Sequence, residues 1–261
     1  MRMIPLMSGS SGNATYIETA DARILVDAGT TGKRVEGLLR DAGTDMQRVD
    51  AIVVTHEHID HVGALGVLAR RYKLPVYMEP ACFENLPRSV GAFPEGTVRF
   101  LRAGESFFVK GTEVTPFAVP HDSARCVGYV FSDGADRNAV MTDIGEADTD
   151  ILDTVTGCGT VLIEANHDVE MLLSGEYPYE LKCRILSRWG HLSNDACAEA
   201  VKELARRGTK RFILAHLSQD NNAPELALVT VRAALRAAGL DKEVRVTAAR
   251  RYEPTFWEEE P

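Results

Sequence analysis

The chain has 261 residues, an apolar fraction of 45%, a charged fraction of 26% and a net charge of −9. These values are ordinary for a globular protein, so we expect a single domain over 1–261, and the lack of a long apolar run excludes a transmembrane helix. The acidic charge argues against nonspecific wrapping of nucleic acid but leaves room for a local phosphate site at bound cations. The start MRMIPLMSGSSGN is too briefly apolar for a secretory signal, so we expect a cytoplasmic location.

The first third of the chain predicts a β-hairpin and then a helix, a buried strand and a second helix. The hairpin strands are predicted at 15–19 and 23–27, with a polar reversal between them. The run VDAIVV at 49–54 is apolar on both faces, which is typical of a buried strand. Two stripes at helical spacing predict the helices: Val35, Leu38, Leu39 and Ala42, then Val62, Leu65, Leu68 and Tyr72.

The rest of the chain is first rich in predicted strands and then mixed. Short β-type runs punctuated by turn residues fill 96–142, and TVLIEA at 160–165 and KRFILAH at 210–216 predict later strands. Helices are predicted near 179–188, at 194–207 and at 224–239, the last with Asn222 as N-cap and Pro224 in its first turn. This distribution favours an α/β sandwich over a parallel doubly wound sheet.

The segment VVTHEHIDHVG, residues 53–63, contains three of the seven histidines. Because residues two apart at a strand end project to the same side, His56 and His58 can converge on one ion. Asp60 and His61 then lie at the start of the next helix. Imidazole and carboxylate groups are suitable ligands for zinc, manganese or iron, so the segment predicts two adjacent metal sites.

The other candidate ligands also lie at or near the ends of predicted strands. A lone histidine is more often a hydrogen-bonded core or surface residue than a ligand, but that interpretation does not explain four ligand-type residues in six positions. Loops at the ends of a rigid scaffold are the usual place for functional groups. The candidates outside the first segment are His121, Asp143, His167, His191 and His216.

The motif THEHIDH resembles the H-x-H-x-D-H signature of the metallo-β-lactamase fold, and later ligand-type residues follow in the order found in that superfamily. The resemblance implies a four-layer αββα sandwich with two divalent metal ions. It assigns one ion to His56, His58 and His121 and the second to Asp60, His61 and His216, with Asp143 bridging them.

Four further segments are similar to the YycJ/WalJ (VicX) group of small nucleases, related to the ribonuclease Z branch. They are SGSSGN at 8–13, ANHD at 165–168, GHLSN at 190–194 and LAHLSQDNN at 214–222. The resemblance implies a 5′-to-3′ DNA exonuclease associated with mismatch repair, and places Glu164 and His191 next to the scissile phosphate. The 73 positions from Asp143 to His216 leave no room for the inserted domain of larger nucleases of this superfamily.

The mechanism expected for such a site uses a hydroxide between two metal ions to attack phosphorus. The departing 3′-oxygen takes a proton from His191 or from a metal-bound water, and Glu164 orients a catalytic or ligand group. Asp60 counts among both the ligands and the catalytic residues.

The candidates for substrate contact are His167, Arg188, Ser193 and Asn194. Ser193 and Asn194 can donate to phosphate or cap the helix that follows. His167 either contacts substrate or orients its loop. Arg188 lies in a basic cluster with Lys182 and Arg184 that can track a strand backbone. The SGSSGN loop is either a tight turn or a nest of backbone N–H groups.

Three alternative functions remain open at this point. A small-molecule or cyclic phosphodiesterase and a glyoxalase-type thioester hydrolase use the same ligands on smaller substrates. A regulatory binding protein without turnover is the third, and the complete ligand set weighs against it.

Overall fold

The structure is a computed structural model that describes residues 1–257. Within these residues the strands form two sheets, one of six strands and one of seven. The first sheet has the order β1-β2-β3-β4-β5-β6: Arg2–Met7, Ala14–Glu18, Arg23–Val26, Ala51–Val53, Val76–Met78 and Val98–Phe100. The second sheet runs from β7 to β13 in sequential order: Phe107–Val109, Thr112–Ala118, Val127–Ser132, Arg137–Met141, Thr160–Glu164, Arg211–Ala215 and Arg245–Ala248.

The helices connect the strands of each half. In the first half they are α1 to α4: Gly32–Asp41, Ile59–Val62, Leu65–Tyr72 and Pro80–Glu84. In the second half they are α5 to α9: Thr149–Val155, Val169–Ser174, Tyr179–Ile185, Asn194–Arg206 and Pro224–Ala237. Over the described residues, no helix is both long enough and apolar enough to cross a lipid bilayer.

Alternation of side chains along the strands sorts the core into layers. In β3, Ile24 packs in a cluster that contains residues of both sheets, whereas its neighbour Leu25 packs in a cluster with Leu39 of α1. On the other side, Ile163 of β11 packs with helix residues such as Val201. Each sheet is therefore covered by helices on its outer face and by the other sheet on its inner face. This four-layer αββα sandwich confirms the predicted fold.

The two sheets contain parallel strands that carry functional groups at their carboxyl ends. Strands β3 to β6 are parallel, as are β10 to β13. Because parallel strands end at the same edge of a sheet, the loops that follow them gather there. The candidate residues at or just after strand ends are His56 after β4, His121 after β8, Asp143 after β10, Glu164 at the end of β11 and His216 after β12.

Two local expectations were wrong. The fold does not open with the predicted hairpin, because β1 precedes it and pairs antiparallel with β2. The predicted second helix is broken into α2 and α3. The break occurs where the Ala64 N–H donates to the Ala28 carbonyl at 2.8 Å, which takes that donor out of the helical hydrogen-bond series.

Candidate metal centre

The loop after β4 brings two histidine rings together with one from the second sheet. The rings of His56 and His58 lie 4.5 Å apart between centroids, and His121 lies 5.0 Å from the first and 5.2 Å from the second. Their ligand atoms all fall within 4.8 Å of one another. The predicted trio His56, His58 and His121 is therefore assembled.

A second group lies beside the first and shares residues with it. Nε2 of His61 is 3.2 Å from Oδ2 of Asp143 and 3.5 Å from Oδ2 of Asp60. Nε2 of His216 is 3.7 Å from the same Asp60 oxygen. Asp143 also groups with His56 and His61, so its carboxylate lies between the two sets of ligands.

The donor atoms of this centre fit a divalent cation. Among the described residues, the Nε2 atoms of His56, His121 and His216 are buried without a hydrogen-bond partner. An unpaired buried polar atom is costly, and a coordinated cation removes that cost. Three imidazoles aimed into one polar centre with carboxylates beside them suit zinc, manganese or iron.

The histidine rings are held so that Nε2 faces the centre. Nδ1 of His121 lies 3.2 Å from the Gly190 carbonyl oxygen, which can only accept, so the ring donates there and leaves Nε2 as the ligand. Nδ1 of His61 lies 2.7 Å from Oδ2 of Asp27. Such hydrogen bonds fix the tautomer and orientation of metal-binding imidazoles.

The pKa values of the ligand histidines shift in opposite directions across the centre. Burial and the neighbouring His61 lower the pKa of His56 well below its usual value. Burial acts in the same direction on His216, but Asp143, Asp60 and Glu164 outweigh it and raise the pKa of His216 to about 10. A divalent cation must displace the proton from His216, so its binding releases protons and becomes stronger as the pH rises.

Asp27 and Thr55 are part of the site, although no sequence motif pointed to them. Asp27 accepts from the Thr55 N–H and hydroxyl, both at 2.8 Å, as well as from His61. Its φ is +61°, and Asp143 and His216 also have positive φ, at +55° and +54°. Non-glycine residues in this region are strained, and such strain concentrates at functional sites. The position of Asp27 directly after a strand was the available signal.

The SGSSGN loop is a tight turn that supports the ligands. Gly12 N–H donates to the Gly9 carbonyl at 2.9 Å and Gly9 N–H donates to the Asn13 side chain at 2.9 Å, so these two amides are already used. Nδ2 of Asn13 lies 3.3 Å from Oδ2 of Asp60 and 2.9 Å from Nε2 of His61. The geometry favours the turn over the nest, with Asn13 as the residue that touches the ligands.

Glu164 joins the metal ligands to His191. Its Oε1 is 2.8 Å from Nδ1 of His191 and 2.7 Å from Nδ1 of His216, and its Oε2 accepts from the Ile144 N–H at 2.9 Å. Burial acts to raise the pKa of Glu164, but His191 and His216 outweigh it and hold the pKa at about 2. Glu164 is therefore an ionised acceptor between two imidazoles, at the edge of the metal centre.

The candidates for substrate contact lie in different surroundings. The Ser193 hydroxyl accepts from the Ala196 N–H at 3.1 Å, so Ser193 is the N-cap of α8. His167 is buried, and neither ring nitrogen has a hydrogen-bond partner within the described chain. Arg188 is exposed and lies 3.5 Å from a Glu146 carboxylate oxygen. Of the basic cluster, Arg184 lines a cavity of about 210 Å³ beside His191.

A buried network of asparagines joins ANHD, GHLSN and LAHLSQDNN, three of the four segments that resemble the YycJ/WalJ group. The side chains of Asn194 and Asn222 exchange two hydrogen bonds of 2.9 Å, and Asn222 also donates to the Ala165 and Asn166 carbonyls. Asn166 in turn donates to the His216 carbonyl at 2.9 Å.

Two expectations are corrected by this network. Ala223, not Asn222, is the N-cap of α9. The Asn194 side chain neither caps a helix nor is available to a phosphate, because it is buried against Asn222.

The sequence matches a family model and two curated relatives. Residues 22–217 match the model described as Beta-lactamase superfamily domain. The exodeoxyribonuclease YycJ of Bacillus anthracis is 39% identical over 234 residues, which cover 90% of this chain and 89% of the relative. The exodeoxyribonuclease WalJ of Streptococcus pneumoniae is 38% identical over 237 residues, covering 90% and 88%.

A solved structure supports the fold assignment. The metallo-β-lactamase fold protein YhfI from Bacillus subtilis superposes with a TM-score of 0.73 and covers 99% of this chain and 100% of its own, at 16% identity. The chain is therefore a metal-dependent hydrolase of the β-lactamase superfamily, and within it belongs to the family of the YycJ and WalJ exodeoxyribonucleases.

Proposed function

We propose that this protein is a dinuclear-metal phosphodiesterase that degrades DNA from its 5′ ends. The observation that carries the proposal is the 39% identity over nine-tenths of the chain to a protein named as an exodeoxyribonuclease. The arrangement of His191 and Glu164 beside the ligands supports it, because an acid next to a two-metal centre suits hydrolysis of a phosphodiester.

One ion would be held by His56, His58 and His121 and the other by Asp60, His61 and His216, with Asp143 shared between them. When bound, two such ions lower the pKa of water between them and stabilise the charge on the transferred phosphoryl group. Asp143 fits the shared position because its carboxylate lies near both ligand sets.

The chain supplies the proton for the leaving 3′-oxygen from His191. Burial acts to lower the pKa of His191, but the hydrogen-bonded Glu164 carboxylate outweighs it and raises the pKa. This shift favours the imidazolium, with Nδ1–H directed to Glu164 and Nε2–H available for transfer. Protonation of the 3′-oxygen leaves a 5′-phosphate on the shortened strand.

The test is degradation of single- and double-stranded DNA and RNA, labelled at either end, by protein stripped of metal and then reloaded with Mn or Zn. Release of mononucleotides from DNA 5′ ends is expected, and Asp143→Ala should abolish it. His191→Ala should keep the metals and lose most turnover. Loss of metal from this variant would show that His191 is a ligand and would contradict its role as proton donor.

Two further substrates in the same assay, bis(p-nitrophenyl) phosphate and a thioester, separate the alternatives. Hydrolysis of bis(p-nitrophenyl) phosphate without cleavage of any polynucleotide would favour a small-molecule phosphodiesterase, and thioester hydrolysis alone would favour a glyoxalase-type enzyme. The association with mismatch repair is part of the proposal. It predicts a higher spontaneous mutation rate in cells that lack the protein.

A further inference from the structure

Trp189 is a large exposed side chain on a rigid turn. Its exposed fraction is 52%. The backbone around it is fixed, because the Gly190 N–H donates to the Ser187 carbonyl at 2.9 Å and the His191 N–H donates to the Ile185 carbonyl at 3.0 Å. A Cβ on Gly190 would lie 2.1 Å from that Ile185 oxygen, so the turn packs too closely for any larger residue.

The turn that displays Trp189 is bonded directly to the metal centre. The Gly190 carbonyl accepts from Nδ1 of the ligand His121, and His191 follows at the next position. The backbone of Trp189 is therefore held at a fixed place relative to both the ligands and the proton donor. An exposed aromatic ring on a rigid backbone near functional residues indicates a binding surface more strongly than a ring on a mobile surface does.

The ring lines a groove of about 530 Å³. Pro120, which precedes His121, lines the same groove, as do Arg125 and Arg188. The Arg188 guanidinium lies 5.2 Å from the Trp189 ring centroid. Arg125 is exposed and makes no ion pair or side-chain hydrogen bond among residues 1–257.

The groove suits a nucleobase better than a run of phosphates. Asp148 and Asp150 also line the groove, and they would repel a chain of phosphates but not a neutral base. Asp148 is occupied in part, since its carboxylate accepts from the Ile151 N–H at 3.1 Å. The cationic side chains of Arg125 and Arg188 can bind the phosphate of a single nucleotide.

We propose that Trp189 is a stacking platform for an unpaired nucleobase next to the scissile phosphate, with Arg125 and Arg188 binding the adjoining backbone. This inference rests on the proposed nuclease function and adds to it the substrate class, a single-stranded end. Base–aromatic stacking requires a base that has left its duplex, and it tolerates any base because each has a π-face. The site therefore selects unpaired DNA without selecting its sequence.

The first test compares wild type with Trp189→Ala and Trp189→Phe on single-stranded oligonucleotides. The strands are either intact or abasic at one of the two nucleotides that flank the scissile phosphate. Trp189→Ala should raise KM about 10-fold or more on the intact strand with a smaller change in kcat, and Trp189→Phe should restore most of it. One abasic position should raise the KM of wild type by a similar factor and that of Trp189→Ala no further.

Phe256→Ala is the matched control. Phe256 is 50% exposed and lies beside Met1 and Arg2, near Thr160 and Arg211 at the starts of β11 and β12, opposite the ends that bear the site. An unchanged KM for Trp189→Ala would overturn the stacking role. So would an equal rise in KM on intact and abasic strands, because the effects of the substitution and of the missing base would then be independent. Failure of wild type to cleave any strand would instead overturn the nuclease function.

Fluorescence gives a readout of stacking without turnover. The chain has two tryptophans, so Trp257→Phe leaves Trp189 as the only one. Titration of this metal-loaded variant with a single strand protected by phosphorothioate linkages should quench its emission, and a blunt duplex should quench it less. Equal quenching by both, or quenching by neither, would contradict selection of an unpaired base.

Discussion

At the scale of single residues, the Glu164 carboxylate connects metal binding to proton transfer. One oxygen accepts from both His191 and His216, at 2.8 Å and 2.7 Å, and the other accepts from the Ile144 N–H. The orientation of a metal ligand and the pKa of the proposed acid therefore depend on the same buried charge. Sequence similarity placed Glu164 near the phosphate, but only the geometry shows that it serves two imidazoles.

Glu164→Gln should separate these two effects. An amide has one acceptor oxygen, so it can receive the two ring N–H groups or the Ile144 N–H but not both, and it removes the charge that raises the pKa of His191. We expect metal affinity or kcat to fall by about 10- to 100-fold. The alkaline limb of the kcat–pH profile should move to lower pH, since a weaker base loses its proton earlier.

Glu170→Gln on the exposed side of α6 provides the control, and its pH profile should match wild type. An unshifted alkaline limb in Glu164→Gln would contradict the role of the Glu164 carboxylate in raising the pKa of His191.

His167 is a buried histidine whose protonation opposes folding. Burial lowers its pKa to about 4 from an ordinary value of 6.5, and its two ring nitrogens have no partner within residues 1–257. Between these values the unfolded chain binds a proton that the folded chain does not, so stability falls as the pH falls from 6.5 towards 4. The shift corresponds to about 3 kcal/mol at the acid end.

His167→Gln should therefore flatten the pH dependence of unfolding over this range. Urea unfolding of the metal-loaded proteins between pH 7 and about pH 4 measures it, with the slope ∂ΔG/∂pH as the quantity compared. An identical slope in the variant would show that protonation of His167 does not lower the free energy of unfolding.

At the scale of elements, the sequence predicted the strand ends well and the contacts between loops poorly. The ligand loops after β4, β8, β10 and β12 were expected because ligand-type residues follow apolar runs. The strand β1 was not predicted. Its Pro5 is compatible with a strand because β1 lies at the edge of its sheet, and the Pro5 carbonyl accepts from the Thr255 N–H at 2.8 Å. The break between α2 and α3 depends on a bond to Ala28 that no local pattern encodes.

The asparagine network could not be predicted for the same reason. Asn222 resembles a helix cap when only its neighbours are considered, since it stands just before Pro224. Its real partners, Ala165, Asn166 and Asn194, are distant in the chain and meet it only in the folded protein. Long-range pairing of this kind overrides local propensity.

Asn222→Leu should destabilise the loops that carry His167, His191 and His216. The substitution leaves the buried Asn194 amide and the Ala165 carbonyl without this partner, at a cost of about 1–3 kcal/mol for each unsatisfied group. Urea unfolding measures the loss. Turnover should fall as well, because Asn166, held by Asn222, donates to the His216 carbonyl.

The exposed Gln219, three positions earlier, gives the matched control as Gln219→Leu, for which little change is expected. Equal stability of Asn222→Leu and Gln219→Leu would contradict the structural role of the network.

At the scale of the whole molecule, the metal centre lies where the two sheets meet. The loop after β4 and helix α2 contribute His56, His58, Asp60 and His61, and loops that follow strands of the second sheet contribute His121, Asp143 and His216. The resemblance of THEHIDH and of the later ligand-type residues to the metallo-β-lactamase fold implied that these residues converge. The bonds that join the halves beside them were not predictable, such as the Val127 N–H to the Thr55 carbonyl at 3.1 Å.

Because the ligands come from both halves, bound metal should stabilise the fold as a cross-link between the sheets. Metal at about 1,000 times its Kd adds roughly 4 kcal/mol, which for a chain of this size raises Tm by roughly 10 °C. Chelation should remove this increment in wild type. Asp143→Ala should show less than half of it, since the carboxylate near both ligand sets is lost, whereas the exposed Asp195→Ala should behave as wild type. An Asp143→Ala protein that gains the full increment would show that metal binds without this carboxylate, and the bridge between the halves would then rest on the histidines alone.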